Sequence, residues 1–376
     1  MNSSKLDYNS GNSRKLRVAL VYDRVNKWGG AERVLLALHK IFPDAPLFTS
    51  VYNKNSARFA DVFNVKTSFL QSASNFRKYN ELLGIFMPIA FESFSFDEYD
   101  LVISVTSEAA KGIITKPRTL HICYCLTPTR YLWSGYDDYF SNRLLRFLSK
   151  GSVSYLKAWE KAAVSRPDHF IAISTEIQKR IKQYYNQESE IIFPPIMIEK
   201  SKNISKARGN YFLLISRLSR FSYYKKVEMA IEAFNITGFP LKIVGSGPME
   251  RSLRKKSKKN IEFLGELTDK QLIFYYGNCK ALVFPGIEDF GLVMAEAQSY
   301  GAPVVAYKGG GAIDIIKEGV TGEFFVSQTV DSLIGVLKRF DGTIYNKGDI
   351  IRNSQRFSYK VFKTNIEKFV EKKIKT

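Results

Sequence analysis

Two consecutive doubly wound α/β domains are what this 376-residue sequence predicts. Three observations carry that expectation. The chain opens on a β-rich apolar run, a glycine turn and an amphipathic helix. Short apolar runs then alternate with helical stretches along most of the length. Between two such series stands Phe193-Pro194-Pro195, followed over residues 199–210 by a polar, lysine-rich stretch of linker composition.

Residues 16–22 (LRVALVY) read as a buried strand, Gly29-Gly30 as the turn after it, and residues 31–41 as its helix. Compact apolar runs at 100–105 (DLVISV), 120–126 (LHICYCL) and 169–174 (HFIAIS) predict further parallel strands buried on both faces. A basic, aromatic helix is expected over 141–164 and another over 176–185. Past the linker the alternation resumes, with strands at 211–216, 241–244, 261–264, 281–285 and 303–307. Helices are expected between them at 227–235, 249–256, 269–276 and 292–300. The expected organisation is a loose polar tail at 1–14, a first domain at 15–198, the linker at 199–210, a second domain at 211–358 and a terminal helix at 359–376. In open parallel sheets ligands sit beyond the carboxyl ends of the strands. For two such domains facing each other, the expected site is the central cleft.

Composition narrows the class. Hydrophobic residues make up 45% and charged residues 24%, which excludes a largely disordered or fibrous chain. The three cysteines (Cys123, Cys125, Cys279) are too few for a disulfide framework and lack the second pair of a zinc site, so a reducing cytoplasm is expected. The tail lacks the apolar core of a signal peptide. The longest apolar stretch, 82–91, is half of the roughly 20 residues a spanning helix needs. Formal net charge is +20, of which +10 falls on residues 200–270. Such a surplus suits an anionic partner: nucleic acid, acidic lipid or a phosphate-bearing small molecule.

The densest constellation is 284–311, FPGIEDFGLVMAEAQSYGAPVVAYKGGG. Glu288 falls in the loop after a strand and Glu296 about one turn into the next helix. Gly291 lets backbone approach a ligand where helix amides attract oxygen anions. Two glutamates eight residues apart would, alone, be read as a helix cap and a solvated carboxylate.

The whole segment, however, resembles glycosyltransferase family four, retaining enzymes of the GT-B fold. Its pattern PxxEDFGxxxxEAxxxGxPVxAxxxGG is met at Pro285, Glu288, Asp289, Phe290, Gly291, Glu296, Ala297, Gly301, Pro303, Val304, Ala306, Gly310 and Gly311. Gly29-Gly30-Ala31-Glu32 resembles the family's N-terminal GGAE loop. Arg217, with Lys225 or Lys226, resembles the Arg and Lys that neutralise the donor diphosphate. Lys225 lies eight residues from Arg217 rather than about five, across the insertion SRFSYY. The segments around Gly245 and after Gly265, including Leu267, resemble those that border the nucleoside.

His121 to Trp133 (HICYCLTPTRYLW) is similar to a mannosyltransferase-like subgroup acting on lipid-linked saccharides, whose pattern is YCHTPxRYLW. Thr127, Arg130 and Tyr131 match it on the acceptor side, and Leu126 replaces its His. Glu108 replaces a second family His in Ser107-Glu108-Ala109-Ala110-Lys111-Gly112. His121, among apolar neighbours, reads as a core residue.

The resemblance implies a metal-independent hexosyltransferase without cofactor. Its donor would be a nucleoside diphosphate sugar, GDP-mannose or a UDP-sugar. Its acceptor would be a saccharide or lipid-linked saccharide. Glu288, Arg217 and Lys225 are the expected catalytic residues. Gly29, Gly30, Gly245, Leu267, Phe290, Gly291, Leu292 and Glu296 would bind the donor. A sugar-nucleotide-binding protein that has lost turnover is the alternative, motivated by Leu126 and Glu108. An epimerase or phosphorylase on the same fold fits the paired glutamates less well. No nucleic-acid module is present. The excess charge, including Arg143, Arg146, Lys150, Lys157 and Lys161, is expected to hold the chain peripherally on the inner face of an anionic membrane.

Overall fold

The structure, a computed structural model, describes residues 16–72, 82–140, 142–196, 208–219 and 225–374. The expected tail, most of the linker and most of the SRFSYY insertion lie outside the described residues. The chain divides into two compact units, Met1–Ile192 with Lys363–Thr376, and Phe193–Phe362.

The first unit is built on strands β1 (Val18–Tyr22), β2 (Leu47–Thr49), β3 (Val65–Thr67), β4 (Leu101–Thr106), β5 (Leu120–Cys125), β6 (His169–Ala172) and β7 (Ser189–Ile191). Its helices are α1 (Gly30–Ile41), α2 (Met87–Glu92), α3 (Tyr136–Tyr139), α4 (Arg143–Ala163) and α5 (Thr175–Tyr185). The strands pair in parallel in the order β3-β2-β1-β4-β5-β6-β7. Every residue of β1 and β4 is buried, as strands covered on both faces require. The three-residue strands β2, β3 and β7 are too short to show a period in sequence and extend the sheet on either side.

The second unit carries β8 (Phe212–Ile215), β9 (Leu241–Val244), β10 (Ile261–Gly265), β11 (Ala281–Phe284), β12 (Val304–Tyr307) and β13 (Gly322–Phe325). Around them lie α6 (Val227–Thr237), α7 (Glu250–Lys256), α8 (Asp269–Asn278), α9 (Leu292–Ser299), α10 (Ala312–Ile315), α11 (Val330–Arg339) and α12 (Lys347–Ser354). The parallel order is β10-β9-β8-β11-β12-β13. Helix starts follow local chemistry: Thr268 and Gln271 form a capping box on α8, and Ser174 caps α5. The last helix, α13 (Tyr359–Ile374), begins in the second unit and ends in the first. There Phe369 meets His169 edge-on and Lys372 pairs with Glu190.

Strand order reverses between β1 and β4 in the first sheet and between β8 and β11 in the second. These switch points, where adjacent crossovers leave on opposite faces, open a crevice at the carboxyl ends of the strands.

Candidate active site

At the switch point of the second sheet, β8 delivers Ser216, Arg217 and Leu218, and β11 delivers residues 285–291. Arg217 is exposed. Lys225 Nζ lies 2.8 Å from Glu288 Oε1, both side chains about four-fifths covered. Lys226 is in the left-handed conformation at the N-cap of α6, φ 53°. Lys225 is therefore the lysine that meets the loop glutamate. Gly310 and Gly311 press against that loop, with the Gly311 N–H donating to the Glu288 carbonyl at 2.9 Å. A Cβ at either glycine would run into the backbone of residues 288–290. Gly291, φ 93°, caps α9 without a side-chain bond, which leaves amides at Leu292 and beyond for a ligand. Phe290 is buried between Phe193 and Phe357. Glu296, fifth residue of α9, is buried and accepts from the Tyr276 hydroxyl at 3.2 Å.

Gly245 (φ 126°) and Gly247 (φ 150°) have a reason of their own. A Cβ on either would overlap the carbonyl oxygens of Ser216 and Leu218. The small size of Gly245, expected to leave room beside a nucleoside, is thus taken up by packing between two loops. Leu267 is half-buried, directly before the cap of α8.

At the first switch point, Asp23 follows β1 and is buried. Its carboxylate accepts from the Thr106 hydroxyl (2.8 Å) and the amides of Ser107 (2.7 Å), Glu108 (3.0 Å) and Ala110 (2.9 Å). The loop after β4 is thereby tied to β1. Arg24 pairs with Glu108 at 2.7 Å. Burial, partly offset by Arg24, raises the Glu108 carboxyl above its ordinary range. Glu32 accepts from the Tyr22 hydroxyl at 2.7 Å and is buried beneath the Gly29-Gly30 turn. Gly30 opens α1, and the N-cap Gly29 offers no side-chain bond.

Comparison with known proteins then bears on this arrangement. Residues 197–340 match the family model described as Glycosyl transferases group 1. The chain is similar to O-antigen chain mannosyltransferase C of Escherichia coli, 29% identical over 116 residues, which are 29% of this chain and 30% of that protein. It is also similar to a GDP-mannose-dependent alpha-mannosyltransferase of Corynebacterium glutamicum, 33% identical over 110 residues, 29% of this chain and 26% of that protein. These matches span about a quarter to a third of the two relatives' lengths. In fold it is similar to Anabaena Alr3699/HepE, solved in complex with UDP and glucose, with TM-score 0.67, 20% identity and coverage of 95% of this chain and 100% of that one. The chain has the GT-B fold, and its residues 197–340 resemble the group 1 glycosyl transferases.

The segment expected on the acceptor side is held by a buried ion pair that the sequence did not announce. Lys111 Nζ meets Glu160 Oε1 at 2.6 Å, both side chains essentially inaccessible. Glu160, on α4, also accepts from Thr129, Trp133 and, at 2.8 Å, Tyr185. Lys111 donates in addition to the Glu108 carbonyl. Burial pushes the Glu160 carboxyl up, but Lys111 and the hydrogen bonds outweigh it and hold it below its usual value. Glu160 therefore fastens the loop carrying Glu108 to the loop carrying Thr127, Arg130 and Tyr131. Thr127 is buried with no hydrogen-bond partner for its hydroxyl among the described residues. Arg130 and Tyr131 are half-buried, and burial, with Glu108 nearby, holds the Tyr131 phenol well above its usual range. His121 is fully buried, 2.8 Å from the Ser104 hydroxyl, and burial lowers it to about 3. It is a neutral core residue.

Asp23, Arg24 and Glu160 were not singled out from sequence, and Glu32 entered only within the GGAE resemblance. Asp23 had a signal, as the first polar residue after a buried strand. Glu160 had none, since it sits 49 residues from Lys111 in an ordinary helical pattern.

Proposed function

We propose that this chain transfers a hexose, mannose first, from a nucleoside diphosphate sugar to a saccharide or lipid-linked saccharide, with retention at the anomeric carbon. The observation that carries this reading is the Lys225–Glu288 pair at the switch point, to which β8 also delivers Arg217, together with the uncapped start of α9. Lys225 and Arg217 supply positive charge where the nucleoside diphosphate leaves. Glu288 accepts hydrogen bonds from sugar hydroxyls, and Glu296, steadied by Tyr276, from the ribose. The α9 amides approach the donor's phosphates, while Gly245 and Leu267 border the nucleoside. The acceptor oxygen bonds to the anomeric carbon as the bond from that carbon to the diphosphate oxygen breaks. The acceptor proton passes to the departing phosphate. Thr127, Arg130 and Tyr131 lie on the acceptor side.

GDP-mannose is favoured by the name of the Corynebacterium relative, and a UDP-sugar by the ligand of the Anabaena structure. Melting of the protein with each nucleotide sugar gives the donor through a raised Tm. Transfer assays on polyprenyl-diphosphate saccharides with that donor then test turnover. A donor that binds without transfer to any acceptor or to water supports the binding-protein reading instead. Glu288→Ala is expected to abolish transfer, and near-normal turnover would refute its role.

The site of action we propose is the face of an anionic bilayer. Among the described residues no helix is long and apolar enough to cross a membrane. On α4, however, Leu144, Phe147 and Leu148 are 66–75% exposed and Tyr155 is 43% exposed. Their spacing places them on one stripe, opposite Val153, Leu156 and Glu160, which face the unit's interior. Arg143, Lys150 and Lys161 share one flank of that stripe. Arg146 and Lys157 lie on it too but are partly committed, Arg146 to Asp137 and both to the Tyr136 ring. An apolar stripe with a basic flank lies in a headgroup interface.

A further inference from the structure

We infer that the loops after β1 and β2 form a subsite for a pyranose ring of the acceptor saccharide, with Trp28 as its platform. The inference rests on the transfer reading above and names where that reaction's acceptor is gripped.

An open pocket of about 360 Å³ is lined by Trp28, Asn55, Ser56, Arg58 and Phe59. It lies at the carboxyl ends of β1 and β2, where the parallel bridge Val25–Tyr52 continues the pairing of the two strands. The wall is fixed: Ser56 donates to the Asn26 carbonyl at 2.8 Å, joining the two loops. Trp28 stands immediately before the Gly29-Gly30 turn and is 46% exposed, an unusual position for the largest apolar side chain. Its ring lies 5.5 Å from that of Phe59 at a 50° tilt, so the two aromatics make a corner rather than a flat patch. The Arg33 guanidinium, 5.9 Å from the indole, adds cation–π support from α1.

A concave, mainly apolar surface with a few polar groups at its edge is the form of a small-molecule site. The chemistry selects a sugar. An aromatic face is electron-rich, and the axial C–H face of a pyranose is its electron-poor, weakly hydrated complement. Around the ring edge, hydroxyls need donors and acceptors. Asn55 offers both, and Arg58, which makes no ion pair with a described residue, offers several donors. A nucleotide base would also stack, but the pocket lies in the other unit from the strands expected to border the nucleoside.

The test titrates the full chain with methyl glycosides and short oligosaccharides of mannose, glucose, galactose and N-acetylglucosamine, neutral and phosphorylated. Binding is followed by calorimetry and tryptophan fluorescence. At least one saccharide is expected to bind saturably and to perturb the fluorescence. Trp28→Ala should weaken that binding about tenfold or more, Trp28→Tyr should restore most of it, and Arg58→Ala should weaken it less. Trp28 is half exposed, so circular dichroism should show an intact fold. Binding that Trp28→Ala leaves unchanged, or no saccharide binding at all, overturns the subsite. A donor-induced Tm shift without saccharide binding refutes this subsite alone. Saccharide binding through Trp28 with no donor bound refutes the transfer reading alone.

Discussion

Lys225 Nζ and Glu288 Oε1 lie 2.8 Å apart, joining the chain that follows β8 to the loop that follows β11 across the sheet's switch point. The two residues are 63 positions apart, and neither belongs to a regular strand or α-helix. The cation proposed for the phosphates neutralises the carboxylate proposed for the sugar. Donor binding would exchange this contact for two others, so the pair keeps both charges in place at modest energetic cost.

That geometry separates two neighbouring lysines. Lys225→Ala is expected to lower kcat about 10²- to 10³-fold, the usual effect of removing one group that stabilises developing charge. Lys226→Ala should change it less than about tenfold. Steady-state kinetics on both variants decide the matter, and the reverse ranking would move the phosphate role by one residue. Both variants should stay within about 1 kcal/mol of wild-type stability, because the pair is partly solvated.

The buried Lys111–Glu160 pair behaves differently. Glu160→Gln leaves a lysine charge without its counter-ion in a dry environment, and should destabilise the first unit by about 3–5 kcal/mol. Urea unfolding monitored by circular dichroism measures this. A loss below about 1 kcal/mol would mean that water reaches Lys111.

His121 gives a pH signature with a definite sign. Its folded-state value of about 3 lies below the ordinary 6.5, so between those values the unfolded chain binds the extra proton. The contribution of the neutral ring is complete above 6.5 and is lost as pH falls toward 3, at up to about 1.4 kcal/mol per pH unit. His121→Gln should flatten the dependence of stability on pH between about pH 4 and 6. His39 and His169, also lowered by burial, retain their share. Urea midpoints across that window test the change of slope, and an unchanged slope would refute it.

On α4, Phe147→Asp with Leu148→Asp should abolish co-sedimentation with vesicles containing phosphatidylserine or phosphatidylglycerol. Arg143→Glu with Lys150→Glu should weaken it and reduce its salt sensitivity. All four side chains are exposed, so the melting temperature should hold. Equal sedimentation of wild type and both variants would refute the proposed membrane face.

Much of the fold was legible because its signals are local. The mainly apolar strands at 18–22 and 101–106, the Gly29-Gly30 turn and the break at Pro194-Pro195 each follow from a few adjacent residues. The three-residue strands β2, β3 and β7 were not legible, since such short segments show no period. The glutamates at 288 and 296 stood out through the pattern around them. The reason for Gly245 did not, because the group that forbids a side chain there is the Ser216 carbonyl, in the loop after the neighbouring strand.

By itself the sequence determined the α/β class, the two successive series and the loops in which charged residues fall. Those properties depend on periodicity and turn chemistry within about ten residues. The tertiary structure alone decided which charges meet: Lys225 rather than Lys226 at Glu288, Arg24 at Glu108, and Lys111 at Glu160. It also decided that Trp28 and Phe59 share one corner. Each of these pairings joins residues at least 31 positions apart. Strand order and loop closure bring them together, and no local property of the chain encodes which carboxylate a given cation will reach.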